Sequence, residues 1–233
     1  MDTIIRNVAI ELIHCYNGKS PIVFPKYYNN SKEKIRVSEQ ESKILFAYEF
    51  MKNNIKFAVE VPTRSKHMQT GKTPQSARFD LVTYKNDYNF DWVIELKSKN
   101  PPKEYFTKDF EKMVLTETNC IWFHTLKNSD RRTYKTLLKK INTGIQSVIN
   151  KFVGKHTWKI VFVVLKKKEL YTLDIPLEKG IYDEIKSMDK FQKHDLSEPA
   201  LSGAISGKGA MRAVSPLHIT SNHACCSLND RLV

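Results

Sequence analysis

Two short apolar stretches of this chain each carry an acidic residue near the middle, and this feature constrains the fold most. They are residues 78–82, RFDLV, which contain Asp80, and residues 92–97, WVIELK, which contain Glu95. Runs of this length rich in Phe, Val, Leu, Trp and Ile are typical of β-strands. The intervening residues 85–90 are short and polar enough for a hairpin loop. The two strands are therefore predicted to be antiparallel neighbours.

Strand geometry predicts which charged side chains meet. Successive side chains of a strand point to opposite faces, so Asp80 is predicted to lie with Val82 on one face and Phe79 on the other. Glu95 and Lys97 are two residues apart and share a face of the second strand. Asp80, Glu95 and Lys97 are therefore predicted to converge.

The chemistry of these three groups favours a metal site. Two neighbouring carboxylates repel each other unless a cation lies between them, and hard oxygen ligands suit Mg²⁺ or Mn²⁺. Such an ion activates water and polarises a phosphate, and Lys97 beside it could orient the water or balance developing charge. The alternative is that Asp80 and Glu95 are solvated residues on the outside of a hairpin, with Lys97 as a salt-bridge partner.

The pattern resembles the PD-(D/E)XK nuclease superfamily, whose signature is an acid on one strand and an acid-x-lysine on the next. Phe79-Asp80 stands where the family often has Pro-Asp, and Glu95-Leu96-Lys97 matches the second element. The element order is also similar: a predicted helix and strand precede the two acid-bearing strands, and another helix and strand follow. These four segments are residues 38–53, 56–61, 103–117 and 119–125.

The resemblance implies an α/β fold with a restriction-endonuclease-like core (helix, three strands, helix, strand) and additional helices and strands. It implies metal-dependent cleavage of DNA, with Asp80, Glu95 and the backbone carbonyl of Leu96 as metal ligands and Lys97 as a catalytic residue. Mg²⁺ is the expected cofactor, with Mn²⁺ as a substitute. Double-strand cutters of this family often act as homodimers, although no interface is visible in the sequence. Restriction of foreign DNA or mobility of a genetic element would fit such an enzyme.

Many family members add a glutamate from the first helix, and Glu39, Glu41 and Glu49 are the candidates here. At 100° per residue Glu41 falls on the same stripe as Ile44, Leu45, Tyr48 and Ile55, so it is predicted to face the body of the protein and is the preferred catalytic candidate, whereas Glu49 lies at the edge of that stripe. The alternative is that residues 38–41, SEQE, form a capping box in which Glu41 completes the start of the helix.

Charge agrees with a polyanionic partner. The chain has 38 Lys and Arg against 25 Asp and Glu, a formal charge of +13, which attracts phosphate backbones. The loop of residues 62–76 adjoins the proposed site. The expected nucleic-acid contacts are Arg64, Lys66, Lys72 and Arg78. A nucleotide cofactor is not expected, because Lys66 occupies the place of the first glycine of a P-loop.

The remaining segments are less informative. Residues 1–37 contain an amphipathic helix at 2–16 and could serve recognition or dimerisation, residues 38–195 form the nuclease-like domain, and residues 196–233 are expected to be disordered or foreign to it. A strong amphipathic helix is predicted near residues 129–150. The chain shows no signal peptide or membrane-length apolar run, which predicts a cytoplasmic protein without membrane contact. A non-catalytic module that binds nucleic acid or protein through the same fold is the alternative function.

Overall fold

A computed structural model describes residues 1–29, 32–67, 75–116, 118–152 and 155–196; within these ranges, the side chains of residues 64–67 and 75–76 are not described. The predicted tail at 196–233 therefore lies almost entirely outside the described residues. Among the helices of the described part of the chain, none is long and apolar enough to span a membrane.

The described residues form four α-helices and nine β-strands, so the predicted α/β class is confirmed. Strands β3 to β9 form one mixed sheet in sequence order, while β1 and β2 form a separate antiparallel pair. Within the large sheet, β5, β6 and β7 are parallel and the other neighbours are antiparallel. The elements are α1 Asp2–Tyr16, β1 Lys26–Asn29, β2 Lys32–Ile35, α2 Glu39–Lys52, β3 Phe57–His67, β4 Gln75–Tyr84, β5 Phe90–Ser98, α3 Lys103–Val114, β6 Asn119–Leu126, α4 Arg131–Val148, β7 Lys155–Val164, β8 Glu169–Glu178 and β9 Gln192–Asp195.

The large sheet lies between two helical layers, and each layer buries its own apolar cluster. Helices α3 and α4 cover one face, where Phe110 and Trp122 are fully buried. Helices α1 and α2 cover the other face, where Phe46 packs edge-on against Phe123 of β6. Burying a large apolar side chain contributes about 1.5–3 kcal/mol, so both layers stabilise the sheet that carries the acids. The amphipathic α1 is part of this core.

Helix α2 has its predicted orientation only in part. The stripe predicted to face the protein contained Glu41, Ile44, Leu45, Tyr48 and Ile55. Glu41 and Leu45 are buried, as predicted, but Ile44 and Tyr48 are 53% and 55% exposed. The buried face instead centres on Phe46 and Phe50, because these two rings fill the space against the sheet. That part of the prediction is wrong, and the rotation determines which glutamates approach the site.

The contact between α3 and α4 depends on Gly144. A Cβ atom at this position would lie 2.6 Å from Cδ2 of Phe110, a ring that is fully buried. Gly144→Ala should gain about 1 kcal/mol of helix propensity but lose more through overpacking, which costs about 1–3 kcal/mol. We expect a net decrease in the free energy of unfolding, measured by urea denaturation. Gln146→Ala changes an exposed position one half-turn away and should have little effect; equal stability of Gly144→Ala and wild type would contradict this packing.

Candidate active site

The two predicted acids lie next to each other in the sheet. Strands β4 and β5 are antiparallel neighbours, as predicted, and Leu81 pairs with Ile94. Asp80 and Glu95 are each one residue beyond this pair, toward the same end of the two strands. The backbone N–H of Leu96 donates a hydrogen bond to Oδ2 of Asp80 at 2.8 Å. The Asp80 carboxylate is therefore held against the backbone of the residue that follows Glu95.

Strand β4 departs from regular alternation beside Asp80. Phe79 was predicted to lie on the face opposite Val82, yet both pack in the cluster beneath α3 and α4; this prediction is wrong. Two irregularities of β3 lie alongside: Glu60, between the Val59–Leu81 and Val61–Phe79 pairs, has a left-handed φ of 52°, and the β3–β4 register shifts between Pro62 and Lys66. Such bulges turn side chains away from their regular direction, and here the shift adjoins the acid-bearing part of β4.

Lys97 and Glu95 belong to a buried network that α3 completes. The Nζ atom of Lys97 lies 2.9 Å from Oδ2 of Asp109 and 3.7 Å from Oε2 of Glu95. The Nζ atom of Lys112 lies 2.7 Å from Oε1 of Glu95 and 2.9 Å from Oδ1 of Asp109. The Lys112 ammonium also donates to the backbone carbonyl of Arg78 at 2.9 Å. Two carboxylates and two ammonium groups thus alternate around a closed ring.

Burial sets the protonation preferences of this network. Removal from water raises the pKa of the Glu95 carboxyl well above its ordinary value, and the nearby Asp109 carboxylate raises it further. Burial alone would lower the pKa of Lys97, but the carboxylates of Asp109 and Glu95 outweigh it, so the pKa of Lys97 is raised. Lys97 is therefore an ammonium at neutral pH. It can orient a water molecule or balance negative charge, but it cannot accept a proton.

The helix glutamate beside this network is Glu39 and not the preferred candidate, Glu41. The backbone N–H of Ser98 donates to Oε1 of Glu39 at 3.2 Å. Burial raises the pKa of Glu39, Lys97 opposes the rise and Asp80 adds to it, which places all three groups within electrostatic reach. Glu41 accepts a hydrogen bond from the Ser38 hydroxyl at 2.6 Å, a local contact at the helix start. Residues two apart differ by about 200° around a helix, so Glu39 and Glu41 point in nearly opposite directions, and Glu41 is buried elsewhere against the body of the protein.

Lys43 is a further member that sequence reasoning missed. Its Nζ atom lies 3.3 Å from Oδ1 of Asp80 and forms an ion pair with Glu60 of β3. Lys43 follows Glu39 by four residues, so both lie on one face of α2. That spacing was the one available signal, because the contact with Asp80 joins elements far apart in sequence.

The oxygen atoms of this cluster are of the type that hard divalent cations prefer. The cluster contains five carboxylates, on Glu39, Glu60, Asp80, Glu95 and Asp109, and three ammonium groups, on Lys43, Lys97 and Lys112, so its formal charge is −2 when all are ionised. The described residues contain no group of three or more His, Cys, Asp and Glu side chains arranged to hold a metal ion. A bound ion would have to compete with Lys112 for Glu95.

The predicted nucleic-acid contacts are only partly visible. Arg78 is exposed on β4, close to Asp80 in sequence. Residues 62–76 were predicted to be a loop, which is wrong for 62–67 and 75–76, because β3 extends to His67 and β4 begins at Gln75. Arg64 and Lys66 therefore belong to β3, although their side chains are not among those described, and Lys72 lies outside the described residues. Their role in binding stays a prediction.

The turn after β5 is anchored by a buried histidine. Lys99 has a left-handed backbone with a φ of 64°, which is strained for a residue with a side chain. A ring nitrogen of His124, which is fully buried, contacts the Lys99 carbonyl. Burial lowers the pKa of His124 to about 4, and the charges of Lys97 and Lys140 also lower it. His124 is therefore neutral at pH 7, with a hydrogen on the nitrogen that donates to Lys99.

The buried histidine should make stability depend on pH. Between an unfolded pKa of about 6.5 and the folded pKa of about 4, the unfolded chain binds a proton that the folded protein does not. Stability is thus lost as pH falls, by about 2 kcal/mol between pH 7 and pH 5. We expect wild type to lose about 2 kcal/mol more of its free energy of unfolding between pH 7 and pH 5 than His124→Gln loses. Urea denaturation at both pH values measures the difference. The same loss in both proteins would contradict the neutral buried state.

No protein-family model matches this chain, and a search of curated proteins finds no match. Functional inference therefore depends on the residues and their geometry.

Proposed function

We propose that the protein is a metal-dependent endonuclease that hydrolyses phosphodiester bonds in DNA. The observation that carries the proposal is the contact of Asp80 with the Leu96 backbone, which brings an acid of β4 against the Glu95-Leu96-Lys97 stretch of β5. A solvated hairpin does not explain this placement, because Glu95 is only 1% exposed. Burying carboxylates beside one another is costly unless cations compensate them.

The order of the elements supports the same proposal. Helix α2, strands β3, β4 and β5, helix α3 and strand β6 follow one another in the order expected for the PD-(D/E)XK core. Strand β6 lies parallel beside β5, while β3, β4 and β5 are antiparallel. The acids lie on the two middle strands of this unit.

Each side chain has a proposed role. Asp80, Glu95 and the backbone carbonyl of Leu96 would hold Mg²⁺ or Mn²⁺, with Glu39 as a further carboxylate near the ion. When bound, the ion supplies positive charge to the phosphate and lowers the pKa of water. Lys97, fixed by Asp109, orients the attacking water and offsets charge that develops on the phosphate.

The test is incubation of plasmid DNA and single-stranded RNA with the purified protein in Mg²⁺ or in EDTA. We expect nicking or cutting of DNA in Mg²⁺ only, and its loss in Asp80→Ala. Asp91→Ala removes an acid from the beginning of β5 and is the matched control. Equal degradation by wild type and Asp80→Ala would refute the assignment of the site, and preference for RNA would change the substrate.

One observation favours a second candidate function, a nucleic-acid-binding module without catalysis. Lys112 already neutralises Glu95 at 2.7 Å, so the network is compensated without a metal ion. Binding of DNA at low salt without cleavage in Mg²⁺ or Mn²⁺ would support this alternative.

A further inference from the structure

A cleft of about 640 Å³ opens beside the Glu39–Ser98 contact. Its walls come from β1 and β2, the segment before α2, the turn after β5, the turn after β6 and the start of α4. The described residues that line it include three cations, Arg36, Lys99 and Lys127, and no acidic side chain. The cleft is thus a positive surface that adjoins a negative site.

The wall formed by the turn after β5 is held rigidly. Lys140 of α4 donates from Nζ to the side chain of Asn100 and to the carbonyl of Pro101, both at 2.6 Å. A ring nitrogen of His124 contacts the carbonyl of Lys99, whose backbone is strained by its positive φ. Strained backbone conformations that neighbouring groups maintain are concentrated at functional positions. The backbone of Lys99 is therefore held in place at the cleft, which lowers the entropy cost when its side chain binds an anion.

The wall formed by β1 carries an aromatic side chain. Tyr27 of β1 lines the cleft and is 44% exposed. Its partner across the strand pair is Lys34. Tyr28, the next residue, is 77% exposed and is not among the residues that line the cleft. Because successive strand residues face opposite ways, the pair supplies one tyrosine in the cleft and a matched one outside it.

Cations together with an exposed aromatic ring suit a nucleic-acid strand with unpaired bases. Lys and Arg bind backbone phosphates, and a tyrosine ring stacks on any base that is not paired. Pockets for small ligands have volumes of about 300–1,000 Å³, so this cleft has room for one or two nucleotides and not for a duplex.

We propose that this cleft binds a single-stranded segment of nucleic acid, with Arg36, Lys99 and Lys127 on its phosphates and Tyr27 stacked on a base. The proposal rests on the proposed function, because the bound strand continues from the cleft toward the phosphodiester bond that is hydrolysed at Asp80 and Glu95. It gives the segment of residues 26–37 a role in substrate recognition, and it makes unpaired or frayed strands the favoured substrate.

The test is fluorescence anisotropy of a labelled oligodeoxythymidine, an oligouridine and a DNA duplex of equal length, in EDTA so that metal-dependent cleavage does not interfere. Wild type should bind the single strands more tightly than the duplex. Tyr27→Ala should weaken single-strand binding about tenfold, a typical loss for one stacked base. Tyr28→Ala is the matched control and should bind as wild type does.

The charges are tested through salt dependence. The triple variant Arg36→Ala, Lys99→Ala, Lys127→Ala should lower the slope of log affinity against log salt concentration by about 2, as expected for three lost contacts to a single strand. Lys155→Ala removes an exposed lysine from the start of β7, away from the ends of β5 and β6, and should lower the slope less.

The outcomes separate this proposal from the nuclease proposal. Tighter binding of the duplex, or equal effects of Tyr27→Ala and Tyr28→Ala, would overturn the cleft even if the protein cuts DNA in Mg²⁺. Single-strand binding that depends on Tyr27 would support the cleft even if no cleavage occurs. If all three nucleic-acid probes bind weakly and an acidic peptide binds instead, the single-strand proposal is wrong and the cleft binds a protein partner.

Discussion

Lys97→Met is expected to cleave DNA about 10²- to 10³-fold more slowly than wild type at saturating Mg²⁺, the usual cost of removing one group that stabilises developing charge. The KM should change little, because Lys97 is 11% exposed and its ammonium lies within the ion-pair network and not on the basic surface. Steady-state kinetics with a DNA substrate measures both quantities.

Two further variants make the result interpretable. Lys108→Met changes an exposed lysine of α3 and should leave the rate unchanged. Lys97→Arg keeps the positive charge and the pairing with Asp109 but alters the donor geometry, so it should fold normally and still lose rate. A Lys97→Met protein that is folded and cleaves at the wild-type rate would show that Lys97 has no part in the chemistry.

Lys112→Met is expected to lower the free energy of unfolding by about 3–5 kcal/mol, the cost of removing one partner of a buried ion pair. The variant leaves Glu95 and Asp109 with a single ammonium, that of Lys97, in a region nearly closed to water. Methionine has a similar volume, so lost packing contributes little. Urea denaturation at pH 7 measures the change.

Matched variants separate charge from packing at this position. Lys108→Met, on the exposed side of the same helix, should change stability by less than about 0.5 kcal/mol. The double variant Glu95→Gln, Lys112→Met removes one charge of each sign and should recover part of the loss. A Lys112→Met protein as stable as the Lys108→Met protein would contradict the buried network.

The pairing of the acid-bearing strands could be predicted because its signals are local. Alternating apolar residues and a short polar connection define a hairpin, and the register of β4 with β5 then follows from the length of the loop. The bounds of α1 were predicted to the residue, since a helical stripe in a short amphipathic segment has a clear beginning and end. The strands β1 and β2 were not foreseen, because their residues are largely exposed and lack a buried stripe.

The partners of the acids could not be predicted, because they depend on how helices rotate over the sheet. Asp109 and Lys112 are three residues apart on α3 and look in the sequence like an ordinary surface ion pair. Only the packing of α3 over β5 turns them toward Glu95 and Lys97. In the same way the burial of Phe46 and Phe50 fixes the rotation of α2, and with it the contact of Glu39 with Ser98 at the end of β5.

Binding of Mn²⁺, followed by electron paramagnetic resonance, tests the central claim most directly, because it reports the ion without requiring turnover. We predict that the wild-type protein and Asp91→Asn bind Mn²⁺ with similar affinity, and that Asp80→Asn binds it at least tenfold more weakly. Equal affinity of Asp80→Asn and wild type would contradict a metal centre built on Asp80 and Glu95.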